Sequence, residues 1–135
     1  MFTFKTIIGL HDTDAAGRLF FANQFRLAHQ AYEAFLETLG FPIGPMLKKG
    51  RLALPIVRAE ADYKRPLCTG DQLEISIRPT RVGTTSFTML CRLISSGHTV
   101  GHVTTVHVAV DVRRGGKQNL PAALRKALLK ATAAK

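Results

Sequence analysis

The residues best suited to chemistry lie in one short stretch, where Asp14 comes three residues after His11 and three before Gly17. An amphipathic helix is predicted to begin soon afterwards, so Asp14 would lie just before a helix N-terminus. The free N–H groups of a helix start can bind an anion or a developing oxyanion, and they favour an ionised carboxylate nearby. This pairing suits attack on a carbonyl group. The alternative is that Asp12 and Asp14 are only turn and capping residues.

A long helix is predicted directly after this stretch. Its apolar residues recur in steps of three and four, which places them on one helix face. They are Phe21, Phe25, Ala28, Tyr32, Phe35, Leu36 and Leu39. Asn23 is the predicted N-cap, and Gly40 followed by Pro42 is typical of a helix end. The helix is therefore expected over residues 22–39.

Strands are predicted on both sides of this helix, since apolar and polar residues alternate there. The predicted strands cover residues 2–10, 51–63, 73–78, 87–93 and 104–112. Short turns between the later strands favour an antiparallel meander, and Pro55 suggests an edge strand or a bulge. A short helix is expected from Asn119, with Pro121 in its first turn. The predicted class is α+β, with one long central helix packed on a five-stranded antiparallel sheet, and the free sheet edges favour a homo-oligomer.

Length and composition favour one domain over residues 1–135, since 46% of the residues are hydrophobic and 21% are charged. No apolar run approaches the roughly 18 residues of a membrane span, and the first ten residues do not resemble a signal peptide. We therefore expect no membrane association and a cytoplasmic location. Cys68 and Cys91 are expected to be reduced thiols packed as small hydrophobic residues. His98, His102 and His107 are spaced unfavourably for strand-borne ligands, so no metal site is predicted.

Several sequence strings, taken together, resemble a known enzyme family. The strings are Asp12-Thr13-Asp14-Ala15-Ala16-Gly17, Asn23-Gln24-Phe25, His29-x-Ala31-Tyr32-Glu33, Ala53-Leu54-Pro55-Ile56-Val57 and Thr69-Gly70-Asp71. Over residues 3–112 the chain is similar to the hotdog-fold thioesterases of the 4-hydroxybenzoyl-CoA type, and within them to 1,4-dihydroxy-2-naphthoyl-CoA hydrolases. The resemblance implies a hotdog fold, hydrolysis of an aromatic acyl-CoA without a cofactor, and a homodimer or homotetramer with sites between subunits.

The resemblance also implies roles for individual residues. Asp14 corresponds to the family's catalytic carboxylate, which acts as a nucleophile or as a base for water. Phe21 would donate its backbone N–H to the thioester oxygen, and Gly17 would allow a sharp turn or a close approach of the substrate.

Other positions depart from the family's pattern. His29 and Leu54 replace an acid and a threonine of the 4-hydroxybenzoyl enzymes, which favours a larger aromatic acyl group near His29, Leu54 and Pro55. His29 would then bind the acyl group's hydroxyl or carbonyl; the alternative is a core histidine with satisfied hydrogen bonds. The family's basic triplet for the CoA phosphates is the neutral Gly83-Thr84-Thr85 here. Arg81, Thr84, Thr85 and Ser86 are the local candidates for phosphate contacts.

The charge distribution leaves other partners open. The formal net charge is +10, and residues 113–135 contain seven of the 19 basic residues and no acid. This basic C-terminal segment suggests a polyanionic partner: CoA, an acidic acyl carrier protein or nucleic acid. Nucleic acid is disfavoured because no aromatic residues are interleaved with the bases. The alternatives to a CoA hydrolase are a carrier-protein thioesterase and a non-catalytic binding module, and the segment itself could be only a solvated helix.

Overall fold

The computed structural model of this protein describes residues 1–133. Its strands are β1 (Phe2–Ile7), β2 (Leu52–Ala53), β3 (Ile56–Tyr63), β4 (Gln72–Val82), β5 (Ser86–Ser95), β6 (His98–Val108) and β7 (Val110–Asp111). Its helices are α1 (Asn23–Thr38), α2 (Ile43–Lys49) and α3 (Ala122–Ala133). Five strands form one antiparallel sheet in the order β1-β4-β5-β6-β3, while β2 and β7 pair separately. The predicted α+β hotdog architecture is confirmed.

Helix α1 lies against the sheet and supplies much of the core. Its buried apolar residues are Leu27, Ala28, Ala31, Tyr32, Phe35 and Leu36. They meet alternate residues of β4, of which Leu73, Ile75 and Ile77 are fully buried. Each large apolar side chain buried in this way contributes roughly 1.5–3 kcal/mol. The predicted apolar stripe is wrong at its first position, since Phe21 is 63% exposed.

The ends of α1 lie within one residue of the predicted ones, but the predicted cap is wrong. Ala22 occupies the N-cap position, and Asn23 lies inside the helix. The Asn23 side chain donates instead to the carbonyl oxygen of Asp12 at 2.9 Å, so it ties the helix to the preceding turn. At the other end, Gly40 adopts φ +87°, and the Phe41 N–H donates to the Leu36 oxygen. This left-handed glycine ends the helix as predicted.

The C-terminal helix is attached to the domain. It begins one residue after Pro121, and Leu120, Leu124 and Leu128 are buried in the same core as α1. The interpretation as a helix that is only solvated is therefore wrong for this face. Lys135 of the predicted basic segment lies outside the described residues.

Some strand ends and short elements differ from the prediction. β1 ends at Ile7 because a 3₁₀ turn follows over Leu10–Asp12. The strand predicted over 104–112 is divided between β6 and β7, and α2 was not predicted. Helix α2 has only seven residues, including Gly44 and Pro45, so it shows no helical periodicity.

The prediction for Pro55 is confirmed. This residue separates β2 from β3, and β3 is an edge strand of the sheet. The pairing of β3 with β6 also shifts in register between Ile56 and Arg58. A proline at this place is tolerated because its missing N–H is not required by a neighbouring strand.

Both cysteines are free, as predicted, but only Cys91 is packed in the core. Burial raises the pKa of the Cys91 thiol to about 12. Cys68 is exposed, so its predicted role as a buried small residue is wrong. Among residues 1–133, no helix is long and apolar enough to cross a membrane.

Candidate active site

Asp14 lies in a tight turn between β1 and α1. Its Oδ1 atom accepts hydrogen bonds from the backbone N–H groups of Ala16 at 2.8 Å and Arg18 at 3.2 Å. The Gly17 N–H donates to the Asp14 carbonyl at 3.0 Å, and Gly17 adopts φ +76°, which explains a glycine at that position. Asp14 is exposed, and within residues 1–133 its Oδ2 atom has no hydrogen-bond partner. The turn therefore holds one carboxylate oxygen and leaves the other available.

Asp12 differs from Asp14 because it is buried and structural. Its Oδ2 atom accepts from the Gly9 N–H at 2.9 Å, and its Oδ1 atom pairs with the Arg26 guanidinium. Its carbonyl oxygen accepts from the Phe20 N–H as well as from Asn23. The proposal that both acids serve only the turn therefore describes Asp12, whereas Asp14 is also free to contact a ligand.

The start of α1, which follows the Asp14 turn, presents free backbone donors. Within the described chain, the N–H groups of Phe21 and Ala22 donate to no protein acceptor. The Phe21 carbonyl is held by the Tyr63 hydroxyl at 2.7 Å. This bond fixes the backbone at the point where the helix dipole is positive, so the geometry suits an oxyanion.

Asp14 and Phe21 line the same surface groove, which has a volume of about 390 Å³. The groove is also lined by residues that sequence reasoning missed: Arg18, Leu19, Gln24, Tyr63, Lys64, Arg65, Pro66 and Leu67. Pro66 was a usable signal, since a proline marks a loop or the end of a strand. The groove combines a carboxylate, free N–H groups and cationic side chains, which suits a polar carbonyl substrate.

His29 lies on the exposed side of α1, so the interpretation as a core histidine is wrong. Its Nδ1 atom lies 3.4 Å from the Glu33 carboxylate. The buried histidine is His107, whose ring stacks on Tyr32 with a centroid distance of 4.3 Å. Burial, with His29 nearby, lowers the pKa of His107 to about 4. Nothing in its sequence spacing distinguished His107 as the histidine of the core.

Leu54 and Pro55 lie beside His107, at the far end of β3 from Asp14. The Leu54 carbonyl is 3.2 Å from His107 Nδ1, and the Pro55 carbonyl accepts from Val108. Asp14 and Phe21 lie instead near Tyr63, at the other end of β3. Tyr63 is seven residues from Ile56, so the two ends of the strand are roughly 23 Å apart. Within one chain, Leu54 and Pro55 therefore lie too far from Asp14 to form one site with it.

The turn between β4 and β5 also lies far from Asp14. Gly83 N–H donates to the Ser86 carbonyl at 2.8 Å, which closes the turn. Thr84 and Arg81 are exposed, whereas Thr85 and Ser86 are half-buried. Ser86 pairs with Val108 of β6, so this turn lies at the same end of the sheet as Leu54.

No group of three or more His, Cys, Asp or Glu side chains in residues 1–133 is arranged to hold a metal ion. His107 is fully buried, and its Nε2 atom lies 2.9 Å from the Thr105 hydroxyl. Both of its ring nitrogens are thus engaged by protein atoms.

Comparison with known proteins identifies the family. Residues 8–128 match the Thioesterase-like superfamily. The chain belongs to this superfamily. A 1,4-dihydroxy-2-naphthoyl-CoA hydrolase from Synechococcus elongatus is 35% identical over 125 residues, which cover 92% of each chain. The crystal structure of a 1,4-dihydroxy-2-naphthoyl-CoA thioesterase from Synechocystis is 27% identical with a TM-score of 0.89, and covers 95% of both chains. A gentisyl-coenzyme A thioesterase structure is 26% identical with a TM-score of 0.85, covering 91% of this chain and 98% of its own.

The superfamily match also corrects one boundary. The sequence resemblance was expected to end at residue 112 and to leave the basic C-terminal segment outside. The match continues to residue 128, within α3. Packing explains this extension, because Leu124 is fully buried in the shared core. The C-terminal helix is part of the thioesterase fold of this chain.

Proposed function

We propose that this protein hydrolyses an aromatic acyl-CoA thioester to the free acid and CoA, with 1,4-dihydroxy-2-naphthoyl-CoA as the favoured substrate. The observation that carries the proposal is that Asp14, with one carboxylate oxygen free, and Phe21, with its N–H free, line the same groove. The similarity to 1,4-dihydroxy-2-naphthoyl-CoA and gentisyl-coenzyme A thioesterases supports an aromatic acyl group.

The chemistry follows from these two groups. As a base, the Asp14 carboxylate accepts a proton from water while the hydroxide adds to the thioester carbon. As a nucleophile, it adds to that carbon itself and forms a mixed anhydride, which water then hydrolyses. In either route the Phe21 N–H stabilises the oxyanion, the C–S bond breaks, and the thiolate leaves and is protonated. Neither route requires a cofactor.

We also propose that the site is completed by a second copy of the chain. Edge strand β3 is exposed along nearly its whole length, and Val57 is 61% exposed. Antiparallel pairing of two β3 strands would place the Ile56 end of one copy beside the Tyr63 end of the other. Leu54 and Pro55 of one copy would then lie next to Asp14 of the other, which closes the roughly 23 Å separation within one chain.

The same proposal includes a homodimer or homotetramer of single-domain chains in the cytoplasm. The free thiols of Cys68 and Cys91 support this location, because disulfides are rare there.

The test is release of free thiol from a panel of thioesters. The panel contains 1,4-dihydroxy-2-naphthoyl-CoA, 4-hydroxybenzoyl-CoA, aliphatic acyl-CoAs and one acyl group carried on acyl carrier protein. Preferential hydrolysis of the naphthoyl ester is expected. Hydrolysis of the carrier-protein thioester alone would support that alternative substrate instead, and silence on all of them would overturn the proposal.

Asp14→Asn provides the mechanistic control. We expect kcat to fall by about 10²–10⁴-fold with unchanged thermal unfolding, since Asp14 is exposed and general catalysis has this magnitude. Glu74→Gln is the matched variant, because Glu74 is an exposed carboxylate on β4 that pairs with the exposed Lys5. Activity of folded Asp14→Asn equal to that of Glu74→Gln would remove Asp14 from the mechanism.

A further inference from the structure

Tyr63 is the last residue of β3, and its side chain lines the candidate active-site groove. Its backbone pairs with Gly101 of β6, and the N–H groups of the two residues that follow Tyr63 both donate to the Val100 carbonyl, at 2.9 and 3.1 Å. The Tyr63 side chain is 50% exposed. Because its backbone is tied to the sheet on both sides of this point, Tyr63 presents its hydroxyl from a fixed position.

The first turn of α1 has few local contacts to fix it. Its N-cap residue is Ala22, which has no side-chain oxygen to cap the turn. The Gln24 N–H donates to the Phe21 carbonyl at 3.3 Å, and the Phe25 N–H donates to the Ala22 carbonyl at 3.2 Å, so both bonds are long. The short bond to the Phe21 carbonyl comes instead from the Tyr63 hydroxyl, at 2.7 Å. The turn is therefore fixed from outside the helix.

A second contact joins the same turn to β3. The Gln24 side chain, which is 2% exposed, donates to the carbonyl oxygens of Asp62 at 2.9 Å and His102 at 3.3 Å. Gly101 leaves room for this side chain, since a Cβ there would lie 2.8 Å from Gln24 Nε2. Gln24 thus holds the turn against the sheet, while Tyr63 sets the orientation of one peptide group within it.

The bond from Tyr63 acts on the peptide group that carries the Ala22 N–H. The Phe21 carbonyl and the Ala22 N–H belong to one planar peptide group. Within residues 1–133 that N–H donates to no protein acceptor. When a peptide carbonyl accepts a hydrogen bond, polarisation makes the N–H of the same group a stronger donor. The first N–H groups of a helix project from its N-terminal end, so those of Phe21 and Ala22 point to the same side.

We propose that the Ala22 N–H is a second donor to the oxyanion, and that Tyr63 is the residue that orients and polarises it. The inference rests on the proposed thioesterase function, in which the Phe21 N–H is the first donor. A tyrosine hydroxyl has one proton, and Tyr63 gives it to the Phe21 carbonyl, so Tyr63 does not also donate to the substrate. Tyr63 is therefore a positioning residue. Two preorganised donors stabilise the charge that develops in the transition state better than one.

Tyr63→Phe tests the hydroxyl and keeps the aromatic ring. We expect kcat and kcat/KM for the aromatic acyl-CoA to fall together by about tenfold, the factor that one neutral hydrogen bond contributes. KM is expected to stay unchanged, because the oxyanion is present only in the transition state. Urea unfolding of the variant checks that it is folded under the assay conditions.

Thr38→Val is the matched control. The Thr38 hydroxyl also donates to a backbone carbonyl of α1, that of Phe35, at 2.6 Å. It lies at the other end of the helix, roughly 25 Å from Phe21. This variant loses the same kind of bond and should keep the kcat and KM of wild type.

Two further measurements separate polarisation of the peptide group from a purely structural role. Site-specific replacement of Tyr63 by 3-fluorotyrosine keeps the hydrogen bond and makes the phenol a stronger donor. At a pH where this phenol stays protonated, kcat should rise by about 1.5-fold, since cooperative strengthening amounts to about 10–30% of one hydrogen bond. In protein labelled with ¹⁵N-alanine, the Ala22 amide proton should move upfield in Tyr63→Phe, because the N–H loses polarisation; this readout is independent of turnover.

An active wild type and an equally active, folded Tyr63→Phe would overturn the role of Tyr63. A rise in KM without a fall in kcat would overturn it too, because the hydroxyl would then be a contact of the bound substrate. If Tyr63→Phe does not fold, the fluorinated variant decides, and a kcat no higher than that of wild type refutes the polarisation. Failure of the proposed function gives a different result, since wild type would then hydrolyse no thioester.

Discussion

The clearest structural prediction concerns Asp12, which lies two residues from Asp14 and has a different role. Its side chain is only 3% exposed, and it joins the Gly9 N–H to the Arg26 guanidinium on α1. Asp12→Asn keeps the size of the side chain and removes its charge. We therefore expect a loss of stability with no direct loss of a reacting group.

The magnitude follows from these contacts. Hydrogen bonds that involve a charged group contribute about 1.5–3 kcal/mol each, and breaking a fully buried ion pair costs about 3–5 kcal/mol. Arg26 is 47% exposed and can turn to water, so the cost is smaller than that of a fully buried pair and is set by the lost charge-assisted hydrogen bonds. We expect Asp12→Asn to lower the free energy of unfolding by about 2–3 kcal/mol, which corresponds to a Tm lower by roughly 10 °C.

The assay is urea unfolding followed by circular dichroism, at one protein concentration so that any oligomer contributes equally. Arg26→Gln and the double variant complete a double-mutant cycle, in which a coupling of about 1 kcal/mol or more is expected. Asp14→Asn is the comparison variant and should unfold within about 0.5 kcal/mol of wild type. A similarly small change for Asp12→Asn would refute the structural role of Asp12.

Two further predictions concern the core and the sheet. Stability should fall as the pH decreases from about 6.5 to about 4, because burial lowers the pKa of His107 to about 4 and the unfolded chain therefore takes up the proton first. Well above pH 6.5 the ring is neutral in both states, so it does not make stability depend on pH. In a pH series of urea unfolding curves, His107→Gln should reduce the dependence of stability on pH between about 4 and 6.5. An unchanged dependence in that range would contradict the assignment to His107. Gly101→Ala should lower the free energy of unfolding by about 1–3 kcal/mol, since a Cβ there would lie 2.5 Å from the Asp62 carbonyl oxygen. Gly44→Ala is its control, with no atom within 4 Å of the new Cβ; equal midpoints for the two variants would show that the sheet accommodates the methyl group.

The sequence by itself determined the elements whose signals are local. The apolar steps of three and four between residues 21 and 39 predicted α1 to within one residue at each end. Alternation predicted the strands, and Gly40 predicted the end of the helix. These signals are reliable because burial on one face and a left-handed glycine depend on residues close together in the chain.

The same local reasoning identified Asp14 as a candidate but could not separate it from Asp12. The two carboxylates have similar neighbours in sequence, and only the packing of Arg26 against the turn buries one of them. The sequence left open whether His29 is a core histidine and gave no sign that His107 is buried, because burial depends on the elements that cover a side chain. Tyr63 was missed as well, since its contact with Phe21 joins residues 42 positions apart.

Tertiary structure alone decided which charges act together. The sequence placed the excess of basic residues in the C-terminal segment, whereas the pairing of β2 with β7 adds Lys48, Lys49 and Arg51 to Arg113 and Arg114. Strand pairing between distant segments leaves no periodic trace in either of them, because each strand shows only its own alternation. The separation of Leu54 from Asp14 along β3 is likewise a property of the folded sheet, and it is the reason that we propose a second copy to complete the site.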